Sequence, residues 1–346
     1  MDSFRRRLRP LFFAVASSFL IAASAHAQSA DYYRGKTIRI VVANPAGGSH
    51  DLYARMIARY LGKYVPGEPN VIVENMPGAG GLRVANYFDS IVRNESTVLG
   101  AMNSGFAFEP LFGASEAKFD PTKFHWVGTP ASPTAMLTVW HAVPVYSLED
   151  ARNREVILGG GGGTTAIYTS LLNALFGLKL KLIPGYSGQN AAYLAMERGE
   201  VDGYPNSFWS TIKSSYPSWI TERKVRFLVQ FGAANPEIPA DVPTARSMVK
   251  TAEDRQLLDL GTAPLELGFP YIMPPDAPGE HVAIIRKGLA STFANPQFKA
   301  EANKAGFDVD DKPQTGEEMT AVLVNAYNAP VSVRERFVAI YKSGRQ

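Results

Sequence analysis

The 346-residue chain contains no cysteine, which excludes disulfides, thiolate metal sites and a cysteine nucleophile. Beyond residue 27 it also lacks any apolar run near the roughly twenty residues that a membrane-spanning helix needs. Internal repeats are missing, and the five consecutive glycines at 159–163 are the one low-complexity tract. His125, His141 and His281 are too scattered to have metal-ligand spacing, so core or surface roles are expected for them, and neither a metal nor a cofactor is expected.

A charge excess is missing too, once the first 27 residues are set aside. Those residues read as a secretory signal: Arg5, Arg6, Arg7 and Arg9 precede an apolar stretch from Leu11 to Ala25, and Ala25-His26-Ala27 fits the small-x-small cleavage rule. The expected mature chain starts at Gln28 and is exported to the periplasm without a membrane anchor. Removing four arginines and one aspartate from 35 basic and 32 acidic residues leaves 31 of each, a net charge of zero. The apparent pI of about 8.9 therefore comes largely from the signal segment, and nothing argues for nucleic-acid or anionic-membrane binding. About 319 mature residues exceed what one core usually organises, so two lobes are expected.

What is present is a strand, a glycine turn and a helix from Thr37 to Leu61. Ile38, Ile40 and Val42 alternate with Arg39 and Val41, while Leu52, Tyr53, Met56, Ile57, Tyr60 and Leu61 recur at helical spacing. Between them Gly47 and Gly48 leave the main chain open to a ligand, and Ser49 or Asp51 is expected to cap the helix. The first helical N–H groups lack internal partners and sit at the positive end of the dipole, so a carboxylate or phosphate suits that turn. A capped turn with no ligand is the plainer alternative.

The same logic recurs where the strand EVILGG runs into Gly161, Gly162 and Gly163 and then Thr164 and Thr165, which open a helix AIYTSLLNALFG. Two such turns suggest two lobes closing on one anion. A dinucleotide fingerprint would need a third glycine where Thr164 or Thr165 stands and an acidic end to the strand KLKLIPGY, and a P-loop would need a lysine; all are absent. Further strands are expected at Val71 to Glu74, Thr97 to Met102, Glu155 to Leu158, Lys179 to Ile183 and Val225 to Phe231. Helices are expected at Thr165 to Phe176, Gln189 to Arg198 and Asp254 to Leu260, with a mainly helical stretch from Asp276 to Tyr341. The alternation predicts an α/β protein with largely parallel sheets.

The segments IRIVVANPAGGSHDLYAR, VIVENMPGAGGLRVANY, LIPGYSGQNAAYLAMERGEVDG, VRFLVQFG and DVPTA together resemble the tripartite tricarboxylate transporter substrate-binding proteins, the Bug-type extracytoplasmic receptors, from about Thr37 to near the C-terminus. The resemblance implies a two-lobed periplasmic-binding-protein-like architecture, a Venus flytrap joined by crossing strands. It implies lobe 1 from 28–103 plus 226–346, lobe 2 from 104–225, and a small carboxylate held between them. It places the first-lobe turn on Ala46, Gly47, Gly48, Ser49 and Asp51, the second on Gly161, Gly162, Gly163, Thr164 and Thr165, and the loop after the second strand on Asn75, Pro77, Gly78, Gly80 and Gly81. His50 stands where many relatives have threonine and Asn44 where many have phenylalanine, and Tyr204, Asn206 and Trp209 also depart from the common pattern, so specificity is not inherited.

Other candidates carry competing readings. His50 is either a ligand contact or a solvated helix-start residue. Ser49-His50-Asp51 cannot form a hydrolytic relay, since three consecutive residues at a helix start point apart. Asp202 is either a hinge-side acceptor or part of an Asp-Gly turn. Asn103 and Ser104 line the cleft or serve a turn, and Trp209 beside Asn206 faces the cleft or packs, whereas Trp126, Trp140 and Trp219 are expected to pack. The expected activity is solute capture without catalysis, by a monomer whose partners are a small carboxylate and the membrane components of a tripartite tricarboxylate-type transporter. A secreted hydrolase or lyase acting on an anion, and a receptor feeding a sensor, are the alternatives.

Overall fold

The computed structural model describes residues 31–160, 164–186, 189–232 and 234–343; the expected signal segment and Gly161, Gly162 and Gly163 lie outside the described residues. Ten strands are present among them: β1 Thr37–Val42, β2 Asn70–Asn75, β3 Val98–Ala101, β4 His125–Gly128, β5 Ala135–Trp140, β6 Val156–Gly159, β7 Leu180–Ile183, β8 Gly203–Phe208, β9 Val225–Phe231 and β10 Tyr271–Met273. They form two five-stranded sheets of the same plan, β2-β1-β3-β10-β4 and β7-β6-β8-β5-β9. In each sheet the first three strands are parallel and the fourth runs against its neighbours.

The antiparallel strand is the one that has crossed over. The chain leaves the first sheet at Gly128 and enters the second at Ala135, beside the carboxyl end of β8, where Ala135 pairs with Phe208. It leaves the second sheet at Phe231 and re-enters the first at Tyr271, beside Ala101 at the carboxyl end of β3. Both crossings thus join carboxyl ends of parallel strands, so those ends of the two sheets share one cleft. The expected lobe boundaries at 103/104 and 225/226 differ from this pairing: β4 belongs to the first sheet, and β9 belongs to the second.

The helices are α1 Ser49–Leu61, α2 Leu82–Ser90, α3 Leu148–Asn153, α4 Thr164–Phe176, α5 Gln189–Glu197, α6 Trp209–Ser215, α7 Pro217–Thr221, α8 Ala245–Met248, α9 Ala252–Leu267, α10 Gly279–Ala294, α11 Pro296–Lys304, α12 Gly316–Tyr327 and α13 Val331–Ser343. Sequence signals account for several ends. Ser147 and Asp150 close a capping box on α3, Thr315 and Glu318 do so on α12, and Asn295 caps α11, whose first residue is Pro296. α9 runs longer than expected, from Ala252 through Pro264 to Leu267.

Ile38, Ile40 and Val42 face a core shared with Ile57 and Leu61 of α1 and Ile285 and Leu289 of α10. Tyr193, Trp209 and Trp219 make a separate aromatic core on the outer face of the second sheet. The largest core is continuous between the lobes: Val41, Phe88 and Trp126 of the first, Leu137, Leu158 and Leu171 of the second, and Leu257, Leu323 and Phe337 of α9, α12 and α13. At about 1.5–3 kcal/mol for each fully buried large apolar side chain, that seam is a major stabilising element. Gly261 lets α9 approach closely, since a Cβ there would stand 2.7 Å from Leu171 Cδ2 and 3.1 Å from Phe337 Cε2.

The two crossings are bonded together. Thr129 Oγ1 accepts from the Phe269 amide at 3.0 Å and donates to the Ala131 carbonyl at 2.9 Å. Ser132 Oγ donates to the Glu266 carbonyl at 3.0 Å, and Asp310 Oδ2 accepts from the Ser132 amide at 2.9 Å. Gly268, at φ +61, admits no side chain, because its Cβ would lie 2.0 Å from the Ala131 carbonyl oxygen. These contacts tie the two crossings to each other.

Candidate functional site

The β1–α1 turn sits at the carboxyl end of β1, as the alternation predicts. Ala46, Gly47, Gly48 and Ser49 are exposed, and Gly47 takes φ +84, which favours glycine. The expected cap is corrected: Gly48 is the N-cap, and no side-chain hydrogen bond caps α1. Asp51 instead turns inward and is 1% exposed. Its carboxylate accepts from the Gly47 amide at 2.8 Å, from Arg55 Nε at 3.0 Å and from Asn75 Nδ2 at 2.9 Å. Burial raises the Asp51 carboxyl's pKa, but the hydrogen bonds from Arg55, Gly47 and Asn75 outweigh it and hold the group below the usual carboxylate range. Asp51 is therefore the tie that shapes the turn, with its acceptors already committed. Asn75 Nδ2 also donates to the Asn44 carbonyl at 3.1 Å, so the end of β2 braces the same loop.

The loop holding Gly78 lies against this turn. Gly78, Gly80 and Gly81 all have positive φ, and Gly81 packs beside Ala43 and Phe106. Asn103, two residues beyond β3, is the N-cap of the 3-10 helix Ser104–Phe112, without a side-chain cap bond, while its carbonyl accepts from the Phe106 amide at 3.1 Å.

His50 is enclosed. Its ring packs 5.0 Å from Phe269, at the second crossing, and bonds to the backbone of Met102 at the end of β3. Burial, against a weaker opposing pull from that bond, brings the imidazole pKa down from 6.5 to about 4. His50 Nε2 and Asn44 Oδ1 are buried and have no partner.

In the second lobe α4 starts at Thr164, which is exposed, while Thr165 is buried with its hydroxyl close over Gly160. Gly161, Gly162 and Gly163 fall outside the described residues. Asn206 is brought to the cleft end of β8. Met136 pairs with Ser207 and Thr138 with Tyr204, so β8 carries one extra residue at Pro205–Asn206: a bulge, with Asn206 buried and its Oδ1 unpartnered. Pro205 inside a strand was the available signal, because a residue without an N–H is tolerated in a sheet mainly at bulges or edges.

Asp202 is not part of this group. It enters β8 at the far end, about 13 Å of strand from Asn206, and its Oδ2 accepts from the Ile157 amide at 2.8 Å. Trp209 packs, and its Nε1 donates to Glu237 Oε2 at 2.6 Å. Trp126 and Trp219 are fully buried, as expected. The lobes meet at the mouth of the cleft, where Lys213 of α6 lies 3.9 Å from Asp308, whose carbonyl accepts from Tyr53 of α1. Two surface grooves of about 450 and 460 Å³ border α13 and include no described residue of either turn. Among the described residues no cluster of His, Asp and Glu could hold a metal, and no helix is long and apolar enough to cross a membrane.

No protein-family model matches the chain. A UPF0065 protein of Cupriavidus necator is 26% identical over 247 residues, covering 68% of this chain and 71% of that protein. A UPF0065 protein of Bordetella bronchiseptica is 35% identical over 116 residues, covering 32% of this chain and 34% of its own length. Among solved structures, a TctC solute binding protein from Polaromonas superposes with a TM-score of 0.68 at 18% identity, over 90% of this chain and 99% of that one. The periplasmic binding protein BugD gives a TM-score of 0.60 at 19% identity, over 90% and 99%. The chain has the fold of the TctC and BugD solute-binding proteins. MatC from Rhodopseudomonas palustris, solved with bound malate, shares this fold at a TM-score of 0.56 and 20% identity, over 90% and 99%. The Bug-type α/β architecture expected from the motifs is the one observed, with two mixed sheets in two lobes.

Proposed function

We propose that this receptor captures a small organic carboxylate between its lobes outside the cytoplasm and delivers it to the membrane components of a tripartite tricarboxylate-type transporter. One observation carries the reading. The β1–α1 turn and the start of α4 lie at matching carboxyl ends of two sheets of identical plan, which both crossings bring to one cleft. First-turn amides of the two helices would share the anion, with Ser49 and Thr164 hydroxyls assisting and no lysine or arginine in either turn. The bound malate of MatC, a protein of the same fold, supports a carboxylate.

The lobes that close are, in this reading, 31–128 with 271–343, and 135–231, pivoting at the bonded crossings. Export by the segment 1–27 and action as a monomer complete the proposal. A hydrolytic role has less support. The Ser96 hydroxyl does meet His281 Nδ1 at 2.8 Å, but Ser96 is 1% exposed beneath Tyr33, so a substrate carbonyl has no approach to it.

A melting-shift screen of the ligand-stripped mature protein tests the proposal, with each carboxylate paired with its neutral amide. An acid at about a hundredfold its dissociation constant adds about 2.7 kcal/mol, and its amide adds far less. Equal shifts from acid and amide, or no shift from any acid, would refute it.

A further inference from the structure

The segment 306–310, just beyond α11, is a strap built onto the first lobe. Phe307 and Val309 pack against that lobe's core, and the Phe307 ring lies 4.6 Å from the Tyr53 ring. The Asp308 carbonyl accepts from the Tyr53 hydroxyl at 2.6 Å, and the Asp310 amide donates to the Pro130 carbonyl at 3.0 Å, at the first crossing. Asp308 is thereby held with its carboxylate toward α6 of the second lobe. The facing group is held as firmly. Glu237 Oε2 accepts from Trp209 Nε1 at 2.6 Å and from Lys213 Nζ at 2.8 Å, and the nearby Ile238 and Val242 sit in the aromatic core of the second sheet. Lys213 Nζ lies 3.9 Å from Asp308 Oδ1, and a Cβ on Gly306 would stand 3.3 Å from Ser214 Cβ, so the lobes meet both through charge and through close approach of the chain. Each half is positioned by its own lobe, and little freedom is lost when they touch.

We propose that Lys213 and Asp308 are the latch of the receptor, an interlobe ion pair that biases it toward the closed state before any solute is bound. The inference rests on the lobe closure read above and on no particular solute. Lys213 faces two carboxylates, Glu237 of its own lobe and Asp308 across the cleft. On opening, the ammonium keeps its shorter bond to Glu237 and gives up only the longer contact, so the latch releases without stranding a charge. Without Lys213 the two carboxylates face each other, and the same contact repels. The sign of the Asp308 effect therefore depends on Lys213, which two unconnected surface charges would not show.

The chain has no cysteine, so Ser214→Cys with Gly306→Cys supplies a single interlobe pair, close to the Cβ separation that a disulfide spans. In glutathione buffer without solute, the ratio of oxidised to reduced mature protein reads the closed population, and it is compared with Lys213→Met, Asp308→Asn and both added. Each single change should lower the ratio by about 1.4- to 5-fold, the range for an exposed pair, whereas Asp308→Asn added to Lys213→Met should leave it unchanged or raise it. The cycle cancels what either residue does alone to the nearby thiols. Salt at 1 M, which screens within about 3 Å, should abolish the coupling. Because Gly306 has φ +79 and a side chain there is strained, the same cycle is also run by urea unfolding of the cysteine-free protein, where a coupling of the same size is expected. A folded cysteine pair that never oxidises overturns the latch, as do additive effects of the two changes in either cycle. The carboxylate screen stands apart: acids that bind to a receptor without this coupling remove only the latch, and coupling in a receptor that binds no acid keeps the latch and removes the carboxylate reading.

Discussion

Lowering the pH from 7 to 4.5 should destabilise the folded chain through His50, by an amount that its surroundings set. In the unfolded chain the imidazole titrates near its ordinary value of about 6.5; folded, burial brings it to about 4. Between those values the unfolded state binds a proton that the folded state refuses, so stability rises with pH across the window and is lost as pH falls through it. At pH 4.5 the linkage amounts to about 2.5 kcal/mol, approaching about 3.4 kcal/mol below both values at 1.36 kcal/mol per unit. Other groups titrate over the same range, among them Asp310 and Glu266, whose carboxyls burial pushes up. The comparison must therefore be a difference of differences. Urea unfolding of wild type and His50→Phe at both pH values isolates the term, because the remaining groups are common to the two proteins. The variant leaves the Met102 carbonyl without its donor, a cost that does not depend on pH. Wild type should lose about 2.5 kcal/mol more than the variant on acidification; equal losses would show that the imidazole is solvated and that its enclosure by Phe269 and Met102 is wrong.

Asp51→Ala should cost about 2–3 kcal/mol in chemical denaturation, since it removes the acceptor shared by Gly47, Arg55 and Asn75, and a loss under 1 kcal/mol would contradict its role as the tie of the turn. Ser49→Ala and Thr164→Val lie on exposed positions of the same two turns and should leave melting unchanged while weakening carboxylate binding by about 1–3 kcal/mol in calorimetry. Gly268→Ala should cost roughly 3 kcal/mol or more, because φ +61 and a Cβ 2.0 Å from the Ala131 carbonyl oxygen force the two crossings apart; a melting temperature within a degree or two of wild type would rule out the packing of the crossings described. Solution scattering with and without saturating ligand should show a smaller radius of gyration when bound, and an unchanged radius would argue against lobe closure.

The parts of the fold legible in the sequence are those where one pattern acts alone. β9 at Val225–Phe231 is an uninterrupted β-rich run and falls where expected, and α4 begins at its two threonines. β10 is three residues long, too short for a period to register, and β4, HWVG, lacks the β-rich run that marks the other four-residue strands; both are set by pairing with each other, and β10 with β3, far apart in the chain. β8 reads GYPNSF, in which glycine, proline and asparagine all argue against a strand; tertiary pairing overrides them and uses Pro205 to make the bulge. The glycine turn between β1 and α1 was visible because it follows from backbone needs, whereas Gly161, Gly162 and Gly163 lie outside the described residues. Asp51 was misread as a ligand-facing residue or cap, since nothing local shows that Asn75 and Arg55 converge on it. Of the two readings of Asp202, the one that put it beside the ligand differs from its position in the bend before β8, because a residue just before a strand gives no sign of which end of the sheet it occupies.

The seam of α9, α12 and α13 beneath both lobes bears on affinity from a distance. In the lobe closure proposed above, any movement of the lobes has to shift this shared packing, so the tightness of that seam would set what fraction of molecules waits open in the absence of ligand. Observed affinity is intrinsic affinity scaled by the population able to bind, so a methyl group added or removed around Gly261, Leu171 and Phe337 changes how strongly the receptor holds its solute while every atom of the pocket stays the same. Two receptors with identical cleft residues can then scavenge at different solute concentrations, their working range written in the back of the molecule.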